Sequence, residues 1–164
     1  MTVRAWLSLG SNIDREKNIR SAIAALEKVF GRLFVSPVYE SEAVGFEGDP
    51  FLNLVVGLDT DLPPGEVAQR LRQIEREHGR VRSGSKFSPR TLDIDLLTYG
   101  QQIIHTPDVD VPRDEITRYA FVLRPLSQVA GNELHPVEGV SYQALWDAFD
   151  QSQQPLWTVD LGLN

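Results

Sequence analysis

The sequence contains no cysteine. That absence excludes disulfides, thiolate nucleophiles and Cys-ligated zinc. It also lacks any apolar run long enough to span a bilayer. At the N-terminus Val3, Ala5, Leu7 and Leu9 alternate, with Trp6 between them. That is a strand pattern, without the charged start and continuous apolar stretch of a signal peptide. A cytoplasmic protein with no membrane partner is expected. Excess positive charge is missing too, with 16 Lys+Arg against 23 Asp+Glu and a net charge of −7. A nucleic-acid binder needs a basic surface to displace counterions, so nucleic acid is not an expected partner. A small phosphate ligand screened by a metal ion stays compatible with this balance. Neither GxxxxGK[ST] nor GxGxxG occurs, which removes support for P-loop kinases, protein kinases and Rossmann enzymes. His78, His105 and His135 show no metal-ligand spacing and read as surface or loop residues.

What is there reads as one domain over residues 1–164, with a hydrophobic share of 41% and a charged share of 24%. No repeat or linker interrupts it. Residues 3–9 form an expected first strand, ending in the turn Gly10-Ser11-Asn12 ahead of a helix start at Asp14. Ile19, Ile23, Leu26 and Phe30 recur at helical spacing, and Gly31 closes the helix. Leu33 to Ser41 reads as a second strand interrupted by Pro37, which calls for an edge position or a bulge. Ala43 to Pro50 is an expected loop and Phe51 to Leu58 a third strand. Pro63 and Pro64 suit the first turn of a second helix, with Val67, Leu71 and Ile74 on its buried face and Gly79 at its end. Arg80 to Arg90 is a cationic loop, and Thr91 to Tyr99 a fourth strand turned by Gly100. The order β-α-β-β-α-β is that of an α+β, ferredoxin-like sandwich. The tail adds Ile103-Ile104, an apolar stretch from Phe121 to Val129 and a short helix around Tyr142 to Phe149, a C-terminal elaboration.

Asp93 and Asp95 stand two apart on the fourth strand, so both carboxylates project from one face while Leu92, Ile94 and Leu96 project from the other. Residues i and i+2 lie roughly 6.5–7 Å apart along a strand. Two carboxylates so placed can share one or two Mg²⁺ ions, which take oxygen ligands and keep waters that phosphate oxygens can replace. The other reading of Asp-x-Asp is a solvated acidic face on an edge strand. The strand is otherwise a dense apolar run, as a central strand is. It also follows directly on Arg80, Arg82, Lys86 and Arg90, set among Ser and Gly. Arginine forks match phosphate oxygens. That segment is either a lid closing over a triphosphate or a solvated charged loop.

The run Phe87-Ser88-Pro89-Arg90-Thr91-Leu92-Asp93-Ile94-Asp95-Leu96-Leu97 closely resembles the signature of the 6-hydroxymethyl-7,8-dihydropterin pyrophosphokinases of folate biosynthesis. Leu9-Gly10-Ser11-Asn12, Phe51-Leu52-Asn53, Ile74-Glu75 with Gly79-Arg80, and Phe121-Val122-Leu123 before Pro125-Leu126 extend the resemblance over nearly the whole chain. It implies a ferredoxin-like fold and transfer of pyrophosphate from ATP, the co-substrate, to the pterin's hydroxymethyl group, with AMP released. It implies that Asp93 and Asp95 bind two Mg²⁺ ions, and that Arg80 and Arg90 act with Asp95 in catalysis. On the pterin side it implies Asn53 at the ring edge, Phe121 and Phe51 on the ring faces, and Ser41 and Val44 nearby. On the nucleotide side it implies Arg72, Glu75, Arg82, Phe87, Arg90, Leu96, Arg113 and Arg118. The chain departs from the family pattern at several of these. Arg113 stands where a His is common, Tyr119 where an Arg occurs with Arg118 one residue earlier, Arg72 near a usual Gln, and Phe87 in place of a Trp. A monomer is expected.

Two further readings stand beside this one. A catalytically silent nucleotide- or pterin-binding module would bind ATP without forming AMP. A ferredoxin-like RNA binder would need a basic sheet face with exposed aromatics, which the acidic balance opposes.

Overall fold

The computed structural model describes residues 2–42, 49–79 and 91–163. Its element order is β1 (Val3–Ser11), α1 (Arg15–Phe30), β2 (Leu33–Val35), β3 (Val38–Ser41), β4 (Phe51–Thr60), α2 (Pro64–Glu77), β5 (Asp93–Tyr99), β6 (Ile104–His105), β7 (Asp110–Val111), α3 (Glu115–Arg118), α4 (Ala120–Ala130), α5 (Tyr142–Asp147) and β8 (Trp157–Val159). The main sheet runs β5-β1-β4-β3-β8, with β2 also on β4, and its pairs are antiparallel. Counting β2 and β3 as one interrupted strand, the order is that of the ferredoxin-like α+β fold.

Alternation along β1 and β4 divides the side chains between two cores. Ala5, Leu7 and Leu9 join Leu52, Leu54, Val56 and Leu58 beneath α1 and α2, which contribute Ile19, Leu26, Val67, Leu71 and Ile74. Trp6, Val55 and Leu97 face the other way, against Val122, Leu123, Leu126, Tyr142 and Trp146 of the C-terminal helices. The tail thus covers the second face of the sheet. Pro125 lies inside α4 and is itself buried.

Two irregularities break the alternation. Val35 pairs with Val56 but Tyr39 with Asn53, so the register slips by one residue across Ser36-Pro37. Pro37 has no N–H for the ladder. Buried Ser36 compensates, donating its N–H to the Val55 carbonyl at 3.0 Å and accepting the Val55 N–H on Oγ at 2.8 Å. The expected bulge is there. The edge position holds for β2, which among the described residues pairs with β4 alone, while β8 pairs outside β3. A second slip lies on β5, where Trp6 pairs with Thr98 but Leu7 with Leu96.

The first strand extends through Gly10 and Ser11, which are strand rather than the expected turn. The twist toward α1 comes at Asp14, in the left-handed conformation with φ 43°. The short elements β6, β7, α3 and β8 are too brief to leave a periodic pattern. The expected loop at Ala43–Pro50 lies largely, and that at Arg80–Arg90 wholly, outside the described residues. His135 lies in a loop, as expected, yet it is only 5% exposed, and its Nδ1 accepts the N–H groups of Val137 and Glu138, both at 3.1 Å.

Gly57 lies under the Trp6 ring, where an added Cβ would sit 2.3 Å from a ring carbon. Gly57→Ala is expected to cost about 1–3 kcal/mol through overpacking, read as a lower urea midpoint with unchanged slope. A second expectation concerns pH. Burial holds the His135 pKa below its usual value. The unfolded chain, titrating near ~6.5, takes up a proton that the folded ring refuses. Stability is therefore full above that pH and falls as pH drops through it. Urea midpoints between about pH 5 and 8 should show this slope, and His135→Asn should flatten it.

Candidate active site

Residues paired directly across antiparallel strands share a face. The register places Asp93 of β5 opposite Gly10 of β1, Gly10 opposite Asn53 of β4, and Asn53 opposite Tyr39 of β3. These four form one row across the sheet. One step deeper, Asp95 faces Ser8 and Ser8 faces Val55. One step nearer the rim, Phe51 faces Ser41. Strands are spaced by ≈ 4.8 Å, so Asp93 and Asn53 stand about 10 Å apart with only a glycine between them. Gly10 has no side chain to fill that gap, and a Cβ there would approach Asn53 Oδ1 to 3.3 Å. The acidic pair and Asn53 are thus on one surface. Ile94 and Leu96 point into the opposite core, as the alternation predicts.

On the amide side, Asn53 Nδ2 donates to Ser41 Oγ at 2.7 Å, and both residues are buried. This bond turns the Asn53 carbonyl oxygen toward Gly10. Tyr39 is held by its hydroxyl, which donates to Gln128 Oε1 of α4 at 2.8 Å. Phe121 opens α4, half-buried against the second core, with its ring stacked on Tyr119 at 5.0 Å. Val44 lies outside the described residues.

On the acidic side, a small cleft of about 80 Å³ opens along the outer edge of β5. Asp95, Leu96, Arg72 and Arg113 line it, together with Asp108, Val109 and Asp110. Arg113 is about one-third exposed and donates from Nε to Glu115 Oε2 at 2.6 Å. Burial opposes its charge, but Asp95, Glu115 and Asp93 outweigh that and raise its pKa. Arg72 approaches Asp95 to 3.8 Å and Glu75 to 3.2 Å. Glu75 is 1% exposed, and its Oε2 accepts the Ile94 N–H at 2.7 Å. Arg118 is exposed on α3 and paired with Asp114 at 3.0 Å, apart from the residues that line the cleft. Arg80, Arg82, Phe87 and Arg90 lie outside the described residues. Among the described residues no three His, Cys, Asp or Glu side chains gather as a metal cluster. Two carboxylates with vacant space beside them suit an ion that takes its remaining ligands from water or phosphate.

The sequence places Ser11 and Asn12 in a turn, but they hold the rim. Ser11 Oγ donates to the Thr91 carbonyl at 2.5 Å, tying β1 to the approach of β5. Asn12 Nδ2 donates to the Asp49 carbonyl at 3.1 Å, tying it to the approach of β4. Their signal was the polar Gly-Ser-Asn end to an apolar strand.

The family of 7,8-dihydro-6-hydroxymethylpterin-pyrophosphokinases (HPPK) matches residues 6–131. The chain belongs to the HPPK family. The matched span runs from Trp6, within β1, through α4, and includes every residue of the row and the cleft. The 2-amino-4-hydroxy-6-hydroxymethyldihydropteridine pyrophosphokinase of Bacillus subtilis is 39% identical over 164 residues, 98% of this chain and 93% of that one. The enzyme of the same name from Pseudomonas aeruginosa is 39% identical over 134 residues, 79% of this chain and 82% of that one. Among solved structures, wild-type Plasmodium falciparum HPPK-DHPS superposes with a TM-score of 0.69 at 15% identity. It covers 90% of this HPPK chain, which spans 45% of the Plasmodium chain, and supports the fold alone. No helix among the described residues is long and apolar enough to cross a membrane.

The Ser41–Asn53 bond gives a stability test. Ser41→Ala leaves a buried amide donor without its acceptor and should cost about 1–3 kcal/mol. Adding Asn53→Leu removes the orphaned group and should recover part of that loss, measured by denaturant unfolding of both variants.

Proposed function

We infer that this chain transfers the terminal pyrophosphoryl group of ATP to the hydroxymethyl group of 6-hydroxymethyl-7,8-dihydropterin and releases AMP, a step of folate biosynthesis. Membership of the HPPK family supports the reaction class. The observation that carries it to residues is the single row Asp93–Gly10–Asn53, acid and amide on one face with an empty position between. A flat pterin needs hydrogen-bond partners at its edge and apolar contact on its faces. Asn53 and Ser41 offer the first, and Phe51 and Phe121 the second, with Val44 beside them by family likeness. The hydroxymethyl group would then point along the row toward Asp93 and Asp95.

Asp93 and Asp95 fit Mg²⁺, because they are paired carboxylates on one face of β5, with Asp95 lining an open cleft rather than a closed cage. Bound there, two such ions would neutralise triphosphate charge and polarise the phosphoryl oxygens. The nucleotide lies in the cleft, against Arg72, Leu96 and Arg113, with Glu75 behind it, and Arg118 belongs to the nucleotide side on the family resemblance alone. Arg80, Arg82, Phe87 and Arg90 complete its surroundings on the strength of the family resemblance, with Arg80 and Arg90 on the reacting phosphates. The substrate hydroxyl attacks the β-phosphorus in line. The new C–O–P bond forms as the bond to the α-phosphate oxygen breaks, and AMP leaves. Asp95 can accept the hydroxyl proton. The work of the chain is positioning and charge compensation, without a covalent enzyme intermediate. A cytoplasmic monomer acting as one domain over residues 1–164 is the setting we propose.

The test is incubation with Mg-ATP and hydroxymethyldihydropterin. AMP and the pterin pyrophosphate should appear in equal amounts. ADP would point to ordinary kinase chemistry, and ATP binding without AMP to a silent binding module. Asp95→Ala should lower kcat by at least roughly 10²-fold with the unfolding midpoint little changed; near-normal turnover would remove that residue from the chemistry.

A further inference from the structure

Among the described residues, the strand that carries Asp93 and Asp95 is the last in the sheet, with β1 on one side only. An edge strand leaves alternate backbone groups unpaired on its outer side. The residue so exposed is Ile94, between the two aspartates. Its N–H donates to Glu75 Oε2 at 2.7 Å, and its carbonyl accepts from an Arg72 guanidinium nitrogen. Both partners come from α2, three residues apart, and they pair with each other at 3.2 Å. One ion pair therefore grips both polar groups of one residue. On the inner side Asp93 and Asp95 are in register with Gly10 and Ser8. The three residues are held from both flanks.

Resting on the reading of Asp93 and Asp95 as metal ligands, we propose that Arg72 and Glu75 are positioning residues, a clamp on the Ile94 peptide that fixes the spacing and aim of the two carboxylates. Burial supports this over direct nucleotide contact for Glu75, which is 1% exposed, with one oxygen on the backbone and the other facing Arg72. A buried carboxylate is tolerated when it is paired and hydrogen-bonded, and here both partners belong to the metal-bearing strand and its clamp. Arg72 reaches further, to within 3.8 Å of Asp95. It couples the backbone grip to the carboxylate itself.

Glu75→Met and Glu75→Gln separate the two roles. The glutamine keeps an acceptor for the Ile94 N–H; the methionine does not. Three measurements apply: Mn²⁺ binding in the presence of α,β-methylene-ATP by electron paramagnetic resonance, binding of the same analogue in EDTA, and hydrogen exchange of the Ile94 amide. Glu75→Met should weaken Mn²⁺ binding by about 10–100-fold, as loss of an outer partner of a metal ligand does. It should speed Ile94 exchange and leave metal-free analogue binding within about twofold. Glu75→Gln should restore slow exchange and most of the Mn²⁺ affinity. If Glu75→Met does not fold, Glu75→Ala carries the same comparison at the Ile94 N–H. The clamp is overturned if Mn²⁺ affinity and Ile94 exchange stay at wild-type values, or if metal-free analogue binding falls as far as metal-loaded binding. A wild-type protein that binds no Mn²⁺ with the analogue would instead sink the underlying reading of the aspartates.

Discussion

Everything at the site depends on β1 being paired along both edges at once. Its partners are β5, which brings the acids, and β4, which brings the amide. The register of one strand against two neighbours decides whether Asp93 and Asn53 face each other across a gap. A slip of one residue on either side would turn one of them into the opposite core. Leu7 and Leu9, fully buried beneath the helices, make such a slip costly, because it would move them to the ligand face. The hydrophobic pattern of an interior strand thereby sets the distance between two polar groups that it does not itself carry. Gly10 is the counterpart of that constraint, the point on β1 where a side chain is excluded so that the two flanks can act together.

The two slips in the ladder follow the same logic. Before Pro37, Phe34 shares a face with Gly57; after it, Tyr39 and Ser41 share that face with Asn53 and Phe51. An uninterrupted strand would present Val38 and Glu40 there instead. The missing N–H of Pro37 and the bridging hydroxyl of Ser36 thus determine which residues meet the amide. On β5 the slip comes after the aspartates, so they keep simple alternation while Thr98 realigns with Trp6. Below the site the second core, built around Trp6 and the C-terminal helices, closes this face. The row at Asp93, Gly10 and Asn53 lies beyond the last of that core's strand residues, so the tail helices bound the site from one side.

The strand-helix order and the acidic pair were legible because they rest on local periodicity. Alternation from Asp93 to Leu96 is a two-residue pattern, and Pro37 marks its own bulge. What stayed hidden depends on pairing between distant segments. No local signal shows that Trp157–Val159 adds to β3, or that Gly10 ends up between two functional residues. Glu75 is the instructive case. Val67, Leu71, Ile74 and Glu75 fall at i, i+4, i+7 and i+8, so its place on the buried stripe of α2 was readable from helical period. Its charge argued for the surface, and the tertiary partner that reverses the argument, the Ile94 peptide, lies nineteen residues further on. The burial of His135 within its loop was hidden for the same reason, because it is licensed by two backbone donors a few residues away.

The acidic balance of the chain is no obstacle to an anionic ligand, because the relevant field is local. Coulomb interactions between exposed charges fade beyond about 8–10 Å at ordinary ionic strength, so the net charge of −7 is felt weakly inside a cleft lined by Arg72 and Arg113. These arginines are themselves half-satisfied by acids, Arg113 by Glu115 and Arg72 by Glu75 and Asp95. Such pairing keeps their side chains in fixed positions before any ligand arrives, which lowers the entropy lost on binding. It also ties Arg72 to Asp95 of β5. A ligand that brings both phosphate and a divalent ion satisfies the arginines and the aspartates together, whereas either component alone leaves one set in its resting pairs. On the proposed function, the interleaving of opposite charges along the outer edge of β5 would therefore favour the metal–nucleotide complex over its separate parts.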